Sequence, residues 1–82
     1  SNEYELKWMI RGLPEDCTIK IYTVTGELVN EFRHTDSESG FEYWDLRNQN
    51  NQEVAPGLYF FTIEDLTGNN KEPYIGKFVI IR

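Results

Sequence analysis

Cys17 and His34 are the only thiol and the only imidazole in the chain, so any nucleophilic chemistry would have to be built from them, with Asp36 or Asp45 orienting the ring. Such a pair needs an exposed, activated thiolate in a cleft. The sequence shows no nucleophile elbow and no helix N-terminus, and the domain is too small to enclose a substrate. Cys17 is therefore expected to be a small apolar residue facing inward from a strand, and His34 to close a strand beside a polar loop. No catalytic residue is expected, and the chain is not expected to be an enzyme. Oxygen ligands for calcium could come from Asp36, Glu38 and the carbonyls around Gly40, or from Glu64 and Asp65 with Asn69 and Asn70. Neither stretch has the twelve-residue register that specifies such a site, so both are expected to be solvated loops. One Cys and one His cannot fill a tetrahedral zinc site, and no metal or cofactor is expected. Tyr4, Trp8, Tyr22, Tyr43 and Tyr74 could form an aromatic platform for polysaccharide, but a two-sheet core is expected to consume most of these rings.

The elements that must position these residues belong to one small domain. Eighty-two residues bury only about 60% of their extended surface, so stability has to come from dense packing. Two Trp, five Tyr and five Phe supply the material for it. A formal charge of −6 repels phosphate backbones and anionic membrane surfaces, which excludes nucleic acid as an expected partner. No apolar run is long enough to span a bilayer, and no signal-peptide pattern opens the chain, so direct membrane insertion is not expected. The chain begins Ser-Asn without Met, and it is read as a piece of a longer protein with Ser1 and Asn2 as a cloning scar and a single domain over 3–82. It is expected to be a monomer.

Alternation of period two dominates. Residues 4–11 place Tyr4, Leu6, Trp8 and Ile10 on one side and Glu5, Lys7 and Arg11 on the other, as a half-buried strand requires. Residues 17–24 turn Cys17, Ile19 and Ile21 inward. Thr25-Gly26-Glu27 is short enough for a hairpin into a third strand over 27–34, whose Leu28, Val29 and Phe32 break strict alternation. A polar connector over 35–40 precedes a fourth strand at 41–46, and a fifth, 58–65, is apolar on both faces and belongs in the middle of a sheet. Ahead of it, Pro56 cannot donate to a ladder and Gly57 permits a tight corner. A sixth strand runs over 74–82. Turn signals at intervals of roughly 8–12 residues favour an all-β, immunoglobulin-like antiparallel β-sandwich of about six or seven short strands. The expected core is Trp8, Ile10, Ile19, Ile21, Leu28, Phe32, Trp44, Leu46, Tyr59, Phe61, Ile63, Phe78 and Ile80. Gly57-Leu58-Tyr59 has the form of a tyrosine corner, in which the phenol bonds to upstream backbone. Phe61 would then stand where such sandwiches carry a cysteine, with Trp44 as the indole opposite it.

The series CTIKIYTVTGELV, WDLRNQNNQEVAPGLYFFTI and GKFVIIR resembles the C-terminal immunoglobulin-like domains of bacterial surface and secreted proteins, over nearly everything from Cys17 to Arg82. It is similar to the module of the flagellar hook-capping protein and to the C-terminal sorting domains of type IX secretion substrates. The matching elements are the turn at Gly26, the pair Trp44 and Asp45, the Pro56-Gly57-Leu58-Tyr59 element and the final strand. Asn51 stands where these families often have Gly, and asparagine tolerates the left-handed conformation that turn needs. The resemblance implies a non-catalytic C-terminal module of an exported multidomain protein, extracytoplasmic, used for secretion sorting or surface attachment. It implies recognition by secretion or surface-anchoring machinery through Gly57, Tyr59, Gly76, Lys77, Phe78, Val79, Ile80, Ile81 and Arg82, with upstream domains of the parent chain as neighbours. A structural spacer or assembly module, like the hook-cap domain, is the alternative. The Pro-Asn-Pro element that commonly opens sorting domains is absent from residues 1–16, which favours that alternative. Carbohydrate binding is a third reading.

Overall fold

The computed structural model describes residues 8–36 and 38–81. Strands β1 (Trp8–Ile10), β2 (Cys17–Thr23), β3 (Leu28–His34), β4 (Glu42–Trp44), β5 (Gly57–Asp65) and β6 (Tyr74–Ile80) form an all-β sandwich of two antiparallel sheets. The large sheet has the order β3-β2-β5-β6, and the small sheet pairs β1 with β4. The expected positions of Tyr4, Leu6, Glu5 and Lys7, the scar at Ser1 and Asn2, and Arg82 lie outside the described residues.

Alternation sorts the faces as the sequence requires. Cys17, Ile19 and Ile21 are fully buried from β2, and Tyr59 and Phe61 are buried from β5, which lies between β2 and β6 as its two apolar faces predict. Leu13, Leu46 and Val54 complete the core from the connections. The layers meet through rings. Trp8 of β1 stacks on Phe78 of β6 with centroids 4.2 Å apart and stands edge-on to Phe61 at 4.9 Å, and Trp44 meets Phe78 edge-on at 6.0 Å.

Three expectations need correction. Leu28 is exposed and Val29 is buried in its place. The register of β2 on β3 slips between Ile21 and Tyr22, and this bulge shifts the phase of the strand so that the residue after Leu28 faces the core. The indole against Phe61 is that of Trp8, whereas Trp44 and Tyr59 are both buried and meet through Phe78, which each ring touches. The fourth strand is shorter than expected, because Leu46 has φ 63°, outside the extended region, and ends the pairing after Trp44.

The corner before β5 closes as expected: the Tyr59 hydroxyl donates to the Ala55 carbonyl at 2.6 Å, and Gly57 has φ 146°, a conformation that favours glycine. Replacing Tyr59 with Phe removes this bond and keeps the ring. Urea unfolding of Tyr59→Phe is expected to show a loss of about 0.5–1.5 kcal/mol with an unchanged m-value.

Candidate functional site

Of the residues singled out for recognition, Gly57 and Tyr59 lie on β5 and Gly76 to Ile80 on β6, where alternation divides them between two surfaces. Gly76, Phe78 and Ile80 face the core. Lys77 and Val79 face outward with Ile75, and Ile81 follows the strand in the open. Gly76 makes the inner packing possible, since its Cα lies under the Phe61 ring and any Cβ there would overlap ring carbons. Lys77 is exposed, and its cross-strand neighbour on β5 is Phe60.

The outer face of the large sheet is polar at one end and apolar at the other. Lys20 lies opposite Glu31, and Thr18 opposite Arg33 and Glu64. Toward the other end Leu28 pairs with Tyr22, Tyr22 with Phe60, and Leu58 with Val79. Val79 and Ile81 are 60% and 83% exposed, so this apolar end runs on to β6 without cover among the described residues, while Ile75, 66% exposed, lies opposite Thr62 in the row of Lys20 and Glu31.

The two edges of the sheet differ. At β3, the Gln49 amide donates to the Val29 carbonyl at 3.2 Å, and the Asn30 side chain donates to the Arg47 carbonyl at 2.8 Å, so residues 47–49 lie along the start of that strand. Glu31 and Arg33 add charge. At β6, no described residue pairs with the outer edge, and seven residues of backbone extend along it.

The remaining motif residues shape connections. Gly26 has φ 90° in the β2–β3 turn, where its amide donates to the Thr23 carbonyl at 3.0 Å. Asn51 has φ 63°, as its place in the turn predicts, and its amide donates to the Asn48 carbonyl at 2.9 Å. The Trp44 indole donates to the Arg47 carbonyl at 2.9 Å, whereas Asp45 points into solvent, and Pro56 is exposed just before β5.

Cys17 and His34 are brought together as cross-strand partners, but inside the core. Both are buried, burial pushes the Cys17 thiol up, and neighbouring Asp65, Asp16 and Glu42 push it further. The side-chain partner of His34 is neither Asp36 nor Asp45: its Nδ1 lies 2.7 Å from the Glu42 carboxylate, while its Nε2 is buried. A shallow groove of about 360 Å³ beside Tyr74 is lined by Ile10, Pro14, Phe61, Ile63 and Asn70, and neither Cys17 nor His34 opens into it. The sequence pattern gave no signal for Glu42, which reaches His34 from the other sheet.

Three of the groups considered as calcium ligands accept hydrogen bonds within the chain. Asp36 accepts from the Glu38 amide, and the Gly40 carbonyl from the Leu13 amide. Asp65 accepts from the amide and hydroxyl of Thr67 and from the Asn70 side chain, and these bonds hold its carboxyl below the usual range. The tyrosines are scattered: Tyr22 lies on the outer face of the large sheet, Tyr43 on the outer face of the small one, and Tyr74 beside Phe61. Tyr4 lies outside the described residues.

No protein-family model matches the chain, and no curated protein matches it. Among solved structures it is similar to PorZ, described as an essential surface component of the type IX secretion system of the oral bacterium Porphyromonas gingivalis. The sequences are 27% identical and the TM-score is 0.72, over 90% of this chain and 9% of PorZ. The chain thus corresponds to a small part of that protein's length.

Two measurements address this geometry. Iodoacetamide at neutral pH is expected to leave Cys17 unmodified in the folded domain and to label it fully after denaturation. Gly76→Ala is expected to cost about 1–3 kcal/mol in urea unfolding by overpacking against Phe61, with part of the loss recovered when Phe61→Leu is added.

Proposed function

We propose that this domain is a non-catalytic, immunoglobulin-like C-terminal module of an exported multidomain protein, serving as a secretion-sorting or surface-attachment domain. The observation that carries this reading is the β6 edge, with which no described residue pairs, beside the apolar end of the outer face. A strand edge of this kind offers main-chain donors and acceptors to a receptor, and the alternating side chains Ile75, Lys77 and Val79 offer selectivity. The likeness to part of a type IX secretion component supports an extracytoplasmic location and a partner in the secretion machinery. In this reading Gly76 and Tyr59 fix the strand and its neighbour, while Lys77, Val79, Ile81 and Arg82 meet the receptor. A structural or assembly module is the second reading, favoured because the similar protein is itself described as a component of the system.

The test is fusion of the domain to a reporter in a host with type IX secretion. Delivery of the reporter to the surface or medium is expected, and cytoplasmic or periplasmic retention would defeat the proposal. The double variant Ile75→Glu, Val79→Glu changes only outward-facing positions, so its melting temperature is expected to stay within about 4–8 °C of the parent. Its delivery is expected to fall about tenfold, as loss of two contacts of moderate strength at one interface would give. Undiminished delivery by that variant would remove β6 as the recognition surface.

A further inference from the structure

His34 stands where the two layers face each other. It ends β3 in the large sheet, its side chain is fully buried, and its Nδ1 lies 2.7 Å from Oε2 of Glu42, the first residue of β4 in the small sheet. Glu42 remains about one-third exposed to solvent. Among the described residues the small sheet pairs Trp8 with Trp44, Met9 with Tyr43 and Ile10 with Glu42. Main-chain bonding over that stretch alone gives it little independent stability. Its hold on the large sheet therefore rests on ring packing and on polar ties, of which the His34–Glu42 contact is one.

We propose that this contact is a proton-operated clamp: with the imidazole charged it holds β4, and with it the small sheet, against β3, and loss of the proton loosens the small sheet while the large sheet stays paired. The surroundings fit the device. Cys17 lies opposite His34 from β2, Asp16 and Asp65 flank Cys17 from the ends of β2 and β5, Glu42 comes from β4, and Asp36 follows β3. Arg33, the basic side chain beside His34 in sequence, is held by Asp16 in a two-pronged pair at 2.9 Å. The cluster thus offers an imidazolium carboxylates and a neutral thiol.

Burial opposes charge on His34, but the hydrogen bond and charge of Glu42, with main-chain groups of Ser39 and Asp36, outweigh it and raise the pKa above its ordinary value. The sign follows. A folded-state value above that of the unfolded chain gives a contribution that is complete below about pH 6.5 and is lost as pH rises through the folded value. A neutral ring with its proton on Nδ1 still donates to Glu42, so what the second proton adds is charge, which makes the bond to the carboxylate the stronger one.

Because His34 is the only histidine, its ring signals in a proton–carbon NMR titration are unambiguous. The intact domain and Glu42→Gln are to be titrated from pH 5 to 9, with amide exchange followed at pH 6 and pH 8 and corrected for intrinsic rates. In the parent, the ring is expected to titrate above about 6.5. Protection at Trp8–Ile10 and Glu42–Trp44 is expected to fall about fivefold more than protection in β2 and β5 on going to pH 8. In Glu42→Gln the ring is expected to titrate below that value and the selective loosening to vanish. The proposal is overturned by a parent ring that titrates at or below the value of free histidine, by equal loss of protection in both sheets, or by selective loosening that persists in Glu42→Gln. The parent measurements decide the matter even if the variant does not fold.

Discussion

Packing of Phe78 against the two indoles is the interaction on which the rest depends. Its ring lies under Trp8 and beside Trp44, and on its own sheet it touches Tyr59 and Phe61. With one cysteine there is no internal disulfide, so these contacts do what a covalent bridge does in many sandwiches of this size. Aromatic pairs contribute about 0.5–1.5 kcal/mol each beyond their area. The contact also explains why an inward glycine precedes Phe78 by two residues: without Gly76, the Phe61 ring could not lie flat against β6, and the cluster would lose its floor.

That cluster consumes one face of β6 and leaves the other to solvent. The arrangement puts stability and the proposed recognition on opposite sides of a single strand. Inward positions tolerate little, because they hold the layers together. Outward positions are free of that duty, and their apolar character has no explanation within the described fold.

Much of this was legible in the sequence, for physical reasons that can be named. Period two in 17–24 placed Cys17, Ile19 and Ile21 inward because nothing interrupts that strand until its end. The doubly apolar 58–65 stretch announced a central strand, and Asn51 announced a left-handed turn. What the sequence hid arises from pairing between distant segments. The bulge that exchanges Val29 for Leu28 depends on how β3 meets β2, and a strand read alone carries no sign of it. The choice of Trp8 over Trp44 against Phe61 depends on how the small sheet lies across the large one. For the same reason His34 could be seen as a strand-end residue but not as the partner of Glu42. The outer face was legible only in part, since the exposure of Ile75 and Val79 follows from their sheet having no layer on that side among the described residues.

One carbonyl joins both layers at the margin of the ring cluster. The Arg47 oxygen accepts from the Trp44 indole and from the Asn30 amide, one on each sheet. The path from β4 to β5 is therefore more than a connection. Its span from Trp44 to Arg47 is set by the need to bring that oxygen between two donors, so an insertion there would part the two sheets from their shared acceptor.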